Sequence, residues 1–138
     1  MGITASLFVA RDDIAYQIVS NPKIFDPDCA DYMRITSAEL STLWAVLQGV
    51  DSDTDMTGEF EVVFDEDDGE CVIQRLPAGM VAALAELSPD QITAVAQKWG
   101  DADDIEPRDV AREIVRDLVR LANSAIDTLQ NVYLFNLV

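Results

Sequence analysis

Residues 59–76 read EFEVVFDEDDGECVIQRL. From Glu59 to Asp65 polar and apolar residues alternate. Phe60, Val62 and Phe64 fall on one side and Glu59, Glu61 and Asp65 on the other, the two-residue period of a strand with one buried face. Val63 is the single exception. Asp67-Asp68-Gly69 carries turn chemistry, and Cys71 to Leu76 supplies a returning strand. A hairpin in the middle of the chain commits the fold to a sheet with antiparallel pairing.

On the C-terminal side of this hairpin, Pro77 opens a helical region with Met80, Val81, Leu84 and Leu87 inward. Ser88, Pro89 and Gln91 have the cap, first-turn and box positions of a second helix. Its apolar face is Ile92, Val95, Ala96 and Trp99, and Gly100 is expected to end it. Residues 108–130 form the longest helix, with Val110, Ile114, Leu118, Leu121, Ala125 and Leu129 as its core stripe. Val132 to Val138 is a closing strand, and its apolar character suggests a place inside the sheet.

On the N-terminal side, Thr36 and Glu39 have capping-box spacing. The helix they open places Leu40, Leu43, Trp44 and Leu47 on one face and stops at Gly49. Residues 22–35 look irregular, with Pro22 and Pro27 among polar residues. Asp12 and Asp13 suit the start of a short helix with an Ile14/Ile18 stripe. Ile3 to Ala10 is a strand with Ala5, Leu7 and Val9 on one face and Phe8 on the other. The expected fold is α+β: a mixed or mainly antiparallel sheet of about four strands covered by helices, in a single domain spanning residues 1–138.

Composition narrows the function. The chain of 138 residues is 49% hydrophobic, enough for a core without staples. Nine Lys and Arg stand against 26 Asp and Glu, a net charge of −17. Such a field repels phosphates and acidic lipid and attracts basic proteins and cations, so a basic protein surface is the expected partner, with neither nucleic acid nor membrane. Solubility alone is the competing reading. The chain has no histidine, which removes Ser-His-Asp and Cys-His catalysis and His-ligated metals. Cys29 and Cys71 are too few for a disulfide scaffold or a zinc site, and a reducing, cytoplasmic setting is the simplest. No secretory signal or membrane-spanning run is visible.

Residues 51–70 carry ten carboxylates and no positive residue. Asp51, Asp53 and Asp55 have the opening spacing of an EF-hand loop, but Met56 stands where the loop needs Gly and Val62 where it needs a bidentate Glu, so no metal is expected. Read as a docking surface, the run would offer Asp51, Asp53, Asp55, Glu59, Glu61, Asp65, Glu66, Asp67 and Asp68 to a row of Lys or Arg. On a strand the Cα atoms of Glu59 and Glu61 would be roughly 6.6 Å apart. Read as a solvated hairpin, its charges deter edge-to-edge aggregation. Arg108, Arg112, Arg116 and Arg120 recur every four residues, with Asp109, Glu113 and Asp117 three residues ahead of an arginine each. That pattern reads as a ladder of weak surface ion pairs, the alternative being that these arginines contact the chain's own acidic loops or an anionic ligand.

The segments MGITAS, LSTLWAVLQG, LPAGMVAALAELSPDQ and VYLFNLV, in that order along the chain, resemble the YfbM-like family of small bacterial cytoplasmic proteins with a domain of unknown function. The resemblance implies an α+β fold and supplies neither an activity nor site residues. The expected function is non-enzymatic: an acidic binding or inhibitory protein, such as a toxin-neutralising immunity protein or a DNA mimic. The alternative is an enzyme that uses carboxylates or a cysteine, and no cofactor is expected.

Overall fold

A computed structural model describes residues 3–21, 25, 29–66, 70–105 and 108–137. Five strands form one antiparallel sheet: β1 (Thr4–Ala10), β2 (Cys29–Met33), β3 (Glu61–Glu66), β4 (Cys71–Arg75) and β5 (Asn131–Leu137), in the spatial order β2-β1-β5-β4-β3. The last strand of the chain is thus the middle strand of the sheet. Its run of Val132, Tyr133, Leu134 and Phe135 is buried because both faces of a central strand are covered.

Four helices, α1 (Ser37–Gln48), α2 (Ala78–Ala85), α3 (Pro89–Ala102) and α4 (Arg108–Thr128), pack on one face. There Ala5, Leu7, Val9, Val132 and Leu134 meet Leu43, Trp44, Met80, Trp99, Ile114, Leu118 and Leu121. Both expected capping boxes form, Thr36 with Glu39 and Ser88 with Gln91. Gly49 closes α1 in the left-handed conformation, with φ 71°. Leu47 is only partly buried, at the margin of this core. No helix among the described residues is long and apolar enough to cross a membrane.

The opposite face carries a smaller core. Phe8, Ala10, Ile73, Tyr133 and Phe135 are covered by Ala15 and Ile18, with Phe25 stacked on Phe8 at 4.9 Å. Strand registers arrange this face in cross-strand rows. One row runs Met33, Thr4, Leu137, Cys71, Glu66; the next runs Asp31, Ser6, Phe135, Ile73, Phe64; the third runs Cys29, Phe8, Tyr133, Arg75, Glu61. Cys29 and Cys71 lie two rows apart and form no disulfide.

Several expectations are corrected. Cys29–Met33, read as irregular, is an edge strand paired to β1; none of its side chains is fully buried, so its residue types carry no clear apolar face. The helix expected after Asp12 is a 3-10 turn over Ala15–Val19 with no side-chain cap. Gly100 does not end α3, which continues to Ala102. Gly100 is buried there, next to Trp99, whose indole is anchored to the Glu39 carbonyl and Asp103. Leu129 does not join the core stripe, because α4 ends at Thr128 and leaves it 92% exposed.

The hairpin differs most. Val62 stands opposite Gln74 but Phe64 opposite Ile73, so Val63 is the extra residue of a β-bulge. The bulge switches the face that the following residues present. Phe60 therefore packs into the helix-side core while Val63 and Phe64 pack into the other. Residues 67–69, read as the turn, lie outside the described residues.

Candidate functional site

All seven described members of the candidate acidic set, Asp51, Asp53, Asp55, Glu59, Glu61, Asp65 and Glu66, are exposed. Asp67 and Asp68 lie outside the described residues. The seven do not form one row on one face. Glu59 sits in a 3-10 turn over Thr57–Glu59 ahead of β3, so it does not share a strand face with Glu61. Glu61 and Glu66 stand opposite Arg75 and Cys71 and project from the sheet side away from the helices. Asp65, opposite Val72, projects to the other side. The charge therefore wraps both sides of an edge strand.

Some of these carboxylates have structural work. Asp51 Oδ1 accepts from the Asp53 N–H at 3.0 Å. The Thr57 hydroxyl donates to Asp55 Oδ1 at 2.6 Å and its N–H at 3.0 Å, which holds that carboxyl below the ordinary range. These are side-chain-to-backbone turns of the kind Asp favours in loops. The Trp44 indole donates to Glu59 at 3.3 Å. Asp53, Asp65, Glu66 and Glu70 make no such bond among the described residues. The described residues contain no group of three or more His, Cys, Asp or Glu placed to hold a metal ion.

A second charged group was not read from sequence. Asp12, just past β1, accepts from the Tyr133 hydroxyl, from Asn131 at 3.1 Å and from Arg75 at 2.9 Å. Arg75 also pairs with Glu61, its cross-strand neighbour. Burial, and then the bond to Asp12, push the Tyr133 phenol well above its ordinary value. Beside this group lies an open cleft of ≈ 580 Å³ lined by Glu59, Glu61, Arg75, Gly79 and Asn131. Arg75 stands between the two carboxylates, and the phenol keeps its proton at neutral pH. The arrangement ties β1, β3, β4 and β5 together and offers no activated nucleophile.

The helix side has a comparable group. Trp99 donates from its indole to the Glu39 carbonyl at 2.9 Å and to Asp103 Oδ2 at 3.0 Å. Burial raises the Asp103 carboxyl above the ordinary range, against the lowering pull of Thr42 and Trp99. Along α4, Arg112–Asp109 at 3.9 Å and Arg120–Asp117 at 3.8 Å realise two rungs of the ion-pair ladder. Asp117 also accepts from Tyr32, which fastens β2 under α4. Only the pairing of distant elements brings these partners together, since Tyr32 and Asp117 are 85 residues apart.

Neither a family model nor a curated protein nor a solved structure matches this chain.

Proposed function

We propose that this chain is a non-enzymatic binding protein whose acidic surface takes a basic macromolecular partner, as a toxin-neutralising immunity protein or a DNA mimic would. The observation that carries the reading is the exposure of every described carboxylate in the 51–66 part of the run. Asp53, Asp65, Glu66 and Glu70 add to it charges that no internal bond among the described residues occupies. A net charge of −17 on 138 residues attracts cationic surfaces that come within about one screening length and repels nucleic acid and acidic membranes. The YfbM-like resemblance and a bacterial cytoplasmic setting belong to the same proposal.

The alternative, a carboxylate enzyme, rests on Asp103, whose raised carboxyl borders a cleft of ≈ 370 Å³ with Arg34, Glu39 and Asp104. Against it, Asp103 holds the Trp99 indole and Glu39 closes the α1 capping box. Both carboxylates are engaged in holding the fold.

The test is binding kinetics with the basic protein that co-purifies from the native cell. Association should slow as salt rises. The variant Asp53→Asn, Asp65→Asn, Glu70→Gln should keep its melting profile and lose on-rate several-fold, as removal of exposed steering charges does. Unchanged kinetics in the folded variant would assign the run to solubility.

A further inference from the structure

Among the described residues, the sheet face away from the helices is covered at one end only. Ala15, Ile18 and Phe25 sit over Phe8 and Tyr133. Two rows further along, Met33 is 57% exposed and Leu137 46%. Between them and the covered part lies an open groove of ≈ 410 Å³ lined by Thr4, Ser6, Asp31, Met33, Phe135 and Leu137.

Each of these two rows has one acidic end, on opposite edges of the sheet. Asp31 lies on the β2 edge of one row and Glu66 on the β3 edge of the neighbouring row, with Ser6 and Thr4 on β1 and the apolar Phe135, Leu137, Ile73 and Cys71 on β5 and β4 between them. Four inter-strand steps of about 4.8 Å separate the two edges by roughly 19 Å. Ser6 at 2.6 Å and Cys29 at 3.9 Å both donate to Oδ1 of Asp31, which leaves Oδ2 to accept from an incoming cation. An apolar centre with a charged rim is the anatomy of a protein-docking surface. A second copy is a poor occupant, because two such faces would bring acid against acid on chains of −17 each.

We infer that this groove is the anchor site for a segment of the basic partner: one or two aliphatic side chains seated between Met33 and Leu137, flanked by Lys or Arg directed at Asp31 and Glu66. The inference rests on the proposed binding function and adds where the contact is made. The acidic loop and hairpin steer the encounter. The sheet face supplies the apolar contact that salt does not screen, and so sets the lifetime of the complex.

The probe is a fluorescein-labelled peptide of alternating Lys and Leu, with a Lys/Ser peptide of equal charge as control. Both are titrated against the full chain near physiological ionic strength, about 0.15 M. The Lys/Leu peptide should bind at least tenfold more tightly. The variant Met33→Gln, Leu137→Asn should abolish that difference with its melting curve intact, since both side chains already sit half in water. The Asp53→Asn, Asp65→Asn, Glu70→Gln variant should weaken both peptides alike and keep the difference. Equal binding of the two peptides overturns the groove as an anchor site. So does a Met33/Leu137 variant that binds as the parent does, and in that case the acidic-surface reading stands. Absence of binding by either peptide overturns both. A dimer on light scattering that the Met33/Leu137 variant dissociates would make the face a self-interface and overturn the inference too.

Discussion

Leu129 shows how far a single backbone angle can override side-chain chemistry. Its φ of +56° is the left-handed conformation that glycine usually supplies after a helix. The N–H of Gln130 reaches back to Ala125 at 2.8 Å and that of Leu129 to Ile126 at 3.3 Å, so the helix end is closed despite the residue. Its side chain packs on little. Leu129→Gly should therefore stabilise the fold by about 0.5–1 kcal/mol, relief of left-handed strain outweighing the added freedom of the unfolded chain. A urea titration reads the change; a lower midpoint would contradict the strain argument. Tyr32 and Tyr133 give a second outcome. Burial first, then bonds to Asp117 and Asp12, raise both phenols above the ordinary 10.0. Below the unfolded value both states hold these protons and the contribution is complete. Above it the unfolded chain releases protons that the folded chain keeps, so stability falls as pH rises. Urea midpoints between about pH 8 and 11 should fall more steeply for the parent than for Tyr32→Phe, Tyr133→Phe. Parallel curves would show that the phenols titrate alike in both states.

The hairpin of β3 and β4 is where reading and structure part most instructively. Alternation from Glu59 to Asp65 locates a strand correctly, and Val63 marks the place where the period breaks. Nothing local says whether such a break is an apolar residue on the wet face or a bulge. The decision comes from what the two faces meet: Phe60 has the α1 and α2 side chains on one side, and Phe64 has Ile73 and the smaller core on the other. Deletion of Val63 would remove the extra residue and leave Val62 opposite Gln74 and Phe64 opposite Ile73 in a regular ladder, with both phenylalanines on their present faces. The expected cost is about 1 kcal/mol, the loss of Val63's own partly buried contacts. Thermal and denaturant melts measure it; a loss several times larger would mean that the bulge itself holds the two phenylalanines in place. The helices present the opposite case. Their caps and stops at Thr36, Gly49 and Ser88 are written in adjacent residues and form as read. Gly100, expected as a stop, instead lies buried inside α3.

The whole chain carries its charge as a surface property. With 26 acids against nine bases, compaction brings like charges together, and the α4 ladder and the Arg75 group offset only part of that. Raising sodium chloride from about 0.1 to about 1 M shortens the screening length from roughly 10 to roughly 3 Å, so the melting temperature should rise by several degrees. The Asp53→Asn, Asp65→Asn, Glu70→Gln variant should start higher and gain less. A melting temperature insensitive to salt would show that the repulsion is already relieved locally.

Composition and period determine the class of this molecule: an acidic α+β domain without histidine chemistry, with capped amphipathic helices, a central hairpin and a final strand apolar enough to lie mid-sheet. These follow from signals within a few residues of one another, where spacing alone decides which face is wet. The tertiary structure decides what depends on residues far apart in the chain. It makes Cys29–Met33 a strand by giving it β1 to pair with. It turns Asp12 from an expected helix start into the acceptor for Tyr133, Asn131 and Arg75. It separates Glu59 from Glu61 and distributes the carboxylates over both sides of an edge strand. It also leaves Met33 and Leu137 half in water on a face whose other end is covered. Hydrogen-bond partners and face coverage are set by which elements meet, and elements meet by the sum of their buried surfaces.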